Sequence, residues 1–223
     1  MIYQHSFTNG TQSDLPIGKV VCVGRNYAEH ARELNNPVPS EPLLFIKPST
    51  AVVPMAEPVR LPEGRGAVHY ETEIALLIGE RLGGEVSDAQ ARTAIAGVGL
   101  ALDLTLRELQ DDLKAKGHPW ERAKAFDGAC PLSRFVEPAG LDLDNLPLSL
   151  TINGALRQQG SSAQMLTPII DLLRHIAQTF TLLPGDVVIT GTPAGVGVLQ
   201  GGDVLEVTIP GLLTETSRVL PTA

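Results

Sequence analysis

Proline and glycine interrupt this chain too often for long helices to dominate it. Seventeen prolines and 22 glycines are spread over 223 residues. Proline removes the amide that a helix interior needs, and glycine supplies the backbone freedom of turns. The apolar runs between them are short. Segments 19–24, 43–47, 74–79, 94–102, 187–190 and 203–209 read as strands, with a further short strand at 1–6. Asn153-Gly154 separates 148–152 from 155–159 and signals a two-residue hairpin. Short helices are expected at 26–35, at 87–93 with Ser87 as N-cap and Gln90 three residues on, at 104–116, and from Thr167-Pro168 to about residue 180. This order predicts a β-rich α+β domain rather than regular βαβ winding.

Within that frame the most informative pair is Glu71 and Glu73, two residues apart at the mouth of the run 74–79. A strand repeats every two residues, so both acids lie on one face, continued inward by Ala75 and Leu77. At about 4 Å and an effective dielectric near 20, two carboxylates repel by roughly 4 kcal/mol. An inward-facing pair therefore needs a shared proton or a cation, whereas a solvated strand edge needs neither. Asp103, after the next apolar run, is the candidate third acid of an all-oxygen set suited to Mg2+, Mn2+ or Ca2+.

Charge narrows the partners. The formal net charge is −8, which argues against nucleic acid, because phosphate binding leans on clustered Lys and Arg. No apolar stretch is long enough to span a bilayer, and residues 1–10 lack a secretory pattern, so a cytoplasmic location is expected. Cys22 and Cys130 have no CxxC spacing and read as free thiols.

Other residues carry chemistry in outline. His30 and Glu33 are three apart on one predicted helix, where a carboxylate can hold an imidazole as a base; a surface pair has the same spacing. On the predicted helix 104–116, Leu102, Leu106, Leu109 and Leu113 form a core stripe, and Asp103, Arg107 and Gln110 a polar stripe beside it. Lys124 and Gln110 are of the types that stabilise an oxyanion near a metal. The loop 190–197, ThrGlyThrProAlaGlyValGly, offers hydroxyls and backbone NH groups, and lacks both the Walker and the dinucleotide glycine patterns.

Taken in order, GlyArgAsnTyr with His30 and Glu33, LeuPheIleLysProSer at 44–49, HisTyrGluThrGlu at 69–73, LeuAspLeuThr with Arg107 and Gln110, TrpGluArgAlaLysAlaPheAsp, and ThrGlyThrProAlaGlyValGly resemble the fumarylacetoacetate hydrolase family. The resemblance spans nearly the whole chain after residue 18, and the short length is similar to the small acylpyruvate hydrolase group. It implies a mixed β-roll with a few short helices, usually a homodimer, with residues 19–223 as the catalytic domain and 1–18 as an N-terminal extension or small lobe. It implies Mg2+ or Mn2+ held by Glu71, Glu73 and Asp103, and a water-activating dyad of His30 and Glu33. It also places Arg25, Tyr27, Lys47, Arg107, Gln110, Lys124 and Thr192 around a small anionic 2-oxo acid substrate.

The expected reaction is hydrolytic cleavage of the C–C bond of a 3-acylpyruvate to pyruvate and a carboxylic acid. Lys124 and Gln110 would face the oxyanion, and oxaloacetate decarboxylation would be a second activity. The alternatives are fumarylpyruvate or maleylpyruvate hydrolysis, isomerisation or decarboxylation of diacids from aromatic breakdown, and oxaloacetate tautomerisation. A non-catalytic metal-binding domain on the same scaffold is the alternative outside enzymology.

Overall fold

The computed structural model describes residues 3–221. In chain order it forms β1 (Val20–Gly24), α1 (Ala28–Glu33), β2 (Leu43–Lys47), β3 (Val52–Pro54), β4 (Val68–Tyr70), β5 (Thr72–Ile78), α2 (Asp88–Thr93), β6 (Ile95–Leu102) and β7 (Thr105–Leu106). There follow α3 (Arg107–Ala115), α4 (Glu121–Lys124), β8 (Cys130–Leu132), β9 (Pro147–Ile152), β10 (Ala155–Ser161), α5 (Ile169–Thr179), β11 (Val187–Ile189), β12 (Gly197–Val198), β13 (Val204–Ile209) and β14 (Leu213–Arg218). The strand-rich α+β expectation holds.

A mixed seven-stranded sheet in the order β2-β1-β11-β5-β6-β8-β3 forms the body, with parallel pairs only at β1/β11 and β3/β8. A four-stranded antiparallel sheet, β10-β9-β13-β14, and a small one, β12-β4-β7, complete it. β5 lies near the middle and is buried along its whole length. Its Ile74, Leu76 and Ile78 enter one core, shared with the second sheet and α5, while Ala75 and Leu77 enter another, shared with β1, β8 and β11. The strand's two faces thus feed two apolar cores, and Glu71 and Glu73 stand on the Ala75 side.

Local signals account for several element ends. Ser87 and Gln90 form the expected capping box at α2. Asn153 and Gly154 take φ of 53° and 77° between β9 and β10, as a type I′ hairpin requires. The helix expected from residue 104 begins only at Arg107, because Thr105 and Leu106 pair with His69 and Val68 of β4. Asp103 is therefore not on the helix, and the polar stripe is assembled from a turn and a helix. After the strand expected at 203–209 the chain forms one more that the sequence does not signal. β14 follows, hidden from the sequence because Glu215 and Ser217 occupy buried positions where apolar residues mark an ordinary strand.

Met1 and Ile2 of the strand expected at 1–6 lie outside the described residues; the remainder contributes only the isolated pairing of Ser6 with Gln12, and Phe7 just beyond it pairs with Phe135. The segment packs on the main body. His5 Nε2 lies 3.1 Å from the Gly185 carbonyl, and its ring stands edge-on to Phe135. Gly185 also receives the Gly18 amide at 3.1 Å and has φ of 92°. A Cβ there would sit 1.9 Å from the Pro16 carbonyl oxygen. Gly185→Ala is expected to cost at least about 1–3 kcal/mol from backbone strain alone, measured as a lowered midpoint in urea.

Candidate metal centre

Strand register brings the three acids together. Thr72 pairs with Leu102 and Glu73 with Ala101 in the antiparallel β5/β6 ladder, so one step further Glu71 stands opposite Asp103. The Asp103 amide donates to the Glu71 carbonyl at 2.8 Å and closes that step. Glu71 and Glu73 share a side through the period of two. All three are buried, at 4%, 1% and 1% exposure, and carboxylate oxygens from each lie within 4.8 Å of one another.

Three cations and one backbone amide surround them. Lys124 Nζ lies 2.9 Å from Glu71 Oε2, 2.6 Å from Asp103 Oδ2 and 2.7 Å from Thr105 Oγ1. Lys47 Nζ lies 2.8 Å from Asp103 Oδ1 and donates to the Ala129, Leu104 and Lys124 carbonyls. Arg107 Nη2 pairs with Glu71 Oε1, and the Gly191 amide donates to Glu73 Oε2 at 2.6 Å. Burial raises the Glu71 proton affinity, but Lys124 and Arg107 outweigh it and hold this carboxyl well below the usual range. Glu73 goes the other way. Burial, then Asp103 and Glu71, push it well above the usual range, since it has a backbone amide where Glu71 has cations.

This arrangement fits a divalent ion. Its donors are carboxylate oxygens, as Mg2+ and Mn2+ prefer. Glu73 is crowded by two like charges. Asp103 Oδ1, though near Lys47, is a buried oxygen without a hydrogen bond.

An adjoining cavity is lined by Arg25, His30, Glu71, Glu73, Arg107, Gln110, Lys124 and Thr192, with Val23, Leu43, Phe45 and Trp120 as its apolar wall. The structure thus brings most of the expected residues to one place. Asp103, Glu33, Lys47 and Tyr27 are not on the cavity wall. Lys47 is fully buried behind Asp103, bound to three carbonyls, and the Tyr27 hydroxyl is buried without a partner. Lys124 does face the cavity, yet its three ammonium protons are all taken by Glu71, Asp103 and Thr105, so it offers charge rather than a spare donor. Gln110, on the same wall, keeps its amide NH2 free. Arg107 Nη1 donates to its Oε1 at 2.9 Å, which turns the amide NH2 away from Arg107. The Thr192 hydroxyl is likewise committed, donating to the Thr72 carbonyl and accepting from Gln158.

His30 and Glu33 sit on α1, with Nδ1 and Oε2 3.5 Å apart. The Gly195 amide reaches the Glu33 carboxylate at 3.1 and 3.2 Å, so the glycine-rich loop braces the pair. Burial lowers the His30 proton affinity below that of an ordinary imidazole, against the opposing pull of Glu71 and Glu33.

Two positioning residues escaped sequence reading. Gln158 accepts from the Thr72 amide and donates to Thr192, tying the start of β5 to the loop. It lies on an otherwise exposed stretch of β10, where a bulge between Leu156 and Gln158 turns it inward; nothing in ArgGlnGln signals this. Asn26 donates to the Thr167 and Thr190 carbonyls and accepts the Thr167 amide. Its place beside a strand end in GlyArgAsnTyr was the available signal.

A strand-rich domain whose middle ladder gathers three buried carboxylates, two of them on a cavity wall, defines a class of proteins with a centre suited to a divalent cation. The chain belongs to the fumarylacetoacetate hydrolase family: residues 19–220 match the fumarylacetoacetate (FAA) hydrolase C-terminal family. An oxaloacetate tautomerase of Escherichia coli (strain K12) is 50% identical over 221 residues, spanning 98% of this chain and 100% of the relative. The mitochondrial oxaloacetate tautomerase of Homo sapiens is 42% identical over 201 residues, 90% of each chain. The crystal structure of fumarylpyruvate hydrolase from Pseudomonas aeruginosa in complex with Mn2+ and pyruvate is similar with a TM-score of 0.91 at 32% identity, covering 99% of this chain and 96% of that one.

Mn2+ at one hundred times its dissociation constant should add about 2.7 kcal/mol to stability, read as a higher thermal midpoint that EDTA reverses. Glu73→Gln should lose most of that shift while remaining folded. A wild-type midpoint indifferent to Mn2+ and Mg2+ would remove the metal role.

Proposed function

We propose that this protein interconverts the enol and keto forms of oxaloacetate, using Mg2+ or Mn2+ held by Glu71, Glu73 and Asp103. The reading promotes a reaction that the sequence ranked behind acylpyruvate hydrolysis. Relatives at 50% and 42% identity over nearly their full lengths bear the name oxaloacetate tautomerase. The observation that carries it is a buried carboxylate centre sharing one cavity with an imidazole that favours its neutral form.

The divalent ion would supply Lewis acidity toward the carboxylate and 2-oxo oxygen of the substrate. The chain's residues do the rest. From enol to keto, a proton leaves the 2-hydroxyl, a proton arrives on C3, and the C2–C3 double bond becomes the C2 carbonyl. Nothing is oxidised and no second reactant is consumed. His30 Nδ1 is turned to Glu33, which leaves Nε2 to move the proton at C3. The Gln110 amide, oriented by Arg107, donates toward the 2-oxygen, and Lys124 adds positive charge on the same side. Val23, Leu43, Phe45 and Trp120 limit water on the other wall.

Hydrolysis of a 3-acylpyruvate is the second reading, favoured by the bracing of Glu33 through both His30 and the Gly195 amide. Water activation needs such a fixed base more than tautomerisation does. There water adds to the distal carbonyl carbon, the C3–C4 bond breaks, and the pyruvate carbon takes up a proton.

Loss of the enol's ultraviolet absorbance after addition of enol-oxaloacetate should accelerate with protein and Mn2+, and not with Glu73→Gln. Acetylpyruvate and fumarylpyruvate assayed in parallel test the second reading. No acceleration with oxaloacetate alongside turnover of an acylpyruvate would reverse the order. The pH profile carries a further prediction. Protonating His30 removes the base, and its affinity is lowered from the ordinary value of 6.5. Activity should therefore persist at pH 6.5 and fall only as acid passes through the lower value, while His30→Gln loses about 10²–10⁴ in kcat and this acid limb with it.

A further inference from the structure

Arg25 differs from every other cation on the cavity wall. Arg107 is paired with Glu71, Lys124 with Glu71 and Asp103, and Lys114 with Asp111. Arg25 has no carboxylate within salt-bridge distance among the described residues. Its one hydrogen bond goes to the Pro37 carbonyl at 3.5 Å, at the limit for such a contact, and Pro37 is itself exposed. The guanidinium therefore sits at the cavity rim, away from the carboxylate floor.

Its backbone is costly as well. Arg25 has φ of 60°, in the left-handed region that a non-glycine residue rarely occupies. The next residue holds it there, because the Asn26 side chain is fixed to Thr167 and Thr190 and the Asn26 carbonyl accepts the Leu166 amide at 2.8 Å. Strain kept in place by its surroundings, at a residue whose charge has no partner, points to a ligand.

We infer that Arg25 recognises the far carboxylate of a dianionic 2-oxo acid and is the residue that separates diacids from uncharged acyl substrates. The inference rests on the 2-oxo acid reading of the site. The near carboxylate and the 2-oxo oxygen belong at the floor, beside the triad and Gln110. A second carboxylate then extends toward the rim, where an uncharged acyl chain would leave Arg25 without a partner. The charge balance agrees. Three carboxylates face three cations, Lys47, Lys124 and Arg107, so a divalent ion plus Arg25 leaves an excess that a dianion neutralises better than a monoanion.

Malate and lactate form a matched, unreactive pair that differs by the far carboxylate. Binding of each to the Mn2+-loaded protein is measured by calorimetric titration. Malate should bind the wild type more tightly than lactate. Arg25→Met should weaken malate by about tenfold or more while lactate changes less than about twofold. Arg25→Lys should keep part of the malate preference. Arg25→Asn, which tolerates a left-handed backbone, separates lost charge from lost folding and should behave as Arg25→Met does. Equal weakening of both ligands, no change in either, or wild-type malate binding no tighter than lactate overturns the assignment. Absence of oxaloacetate turnover with the malate preference intact would sink the tautomerase reading and leave the role of Arg25 standing.

Discussion

Three carboxylates confined within a few ångströms, away from water, are the constraint that the rest of this structure answers. The antiparallel β5/β6 register sets Glu71 against Asp103, and the strand period places Glu73 beside them. Left alone, such a group would take up protons or push apart. Lys47 arrives from the end of β2, Lys124 from α4, Arg107 from the start of α3 and the Gly191 amide from the loop after β11. Four separate parts of the chain are thereby committed to one point. Losing a single partner of a buried ion pair typically costs about 3–5 kcal/mol, so this convergence fixes the fold as much as it fixes the site.

The compensation is uneven, and the unevenness is useful. Glu71 has two cations and stays ionised, whereas Glu73 has a backbone amide and two like-charged neighbours. That leaves a strong attraction for an external positive charge without emptying the site of internal support. The outer groups are arranged by the same economy of donors. Arg107 serves both Glu71 and Gln110, and Gln158 serves both Thr72 and Thr192, so the floor and the walls share their supports.

Much of this was legible in the sequence. The short strands, the Asn153-Gly154 hairpin, the capped α2 and the acidic triad each carry a local signal, either a period, a turn dipeptide or a cap. What was hidden depends on tertiary contacts. β14 buries Glu215, which Arg134 bonds from outside the strand, so its polar sequence conceals its pattern. Residues 105 and 106 leave the helix because β4 offers them ladder partners. Lys47 was expected around the substrate, and only the tertiary structure shows the carbonyls of Leu104, Lys124 and Ala129 converging on it away from the cavity. The commitment of all three Lys124 protons is also a matter of geometry alone.

The buried position of Lys47 bears on the order of events in the protein's maturation. Its ammonium is satisfied by carbonyls that are adjacent only after α4 and the segment leading to β8 have docked. With Lys124 and Arg107 it balances the acids inside the polypeptide. Chain collapse therefore needs no ion as a nucleus, in contrast to small zinc domains that are unfolded without metal. An ion held by the triad as proposed would then load after folding, and its identity would be set by supply at that moment rather than during synthesis.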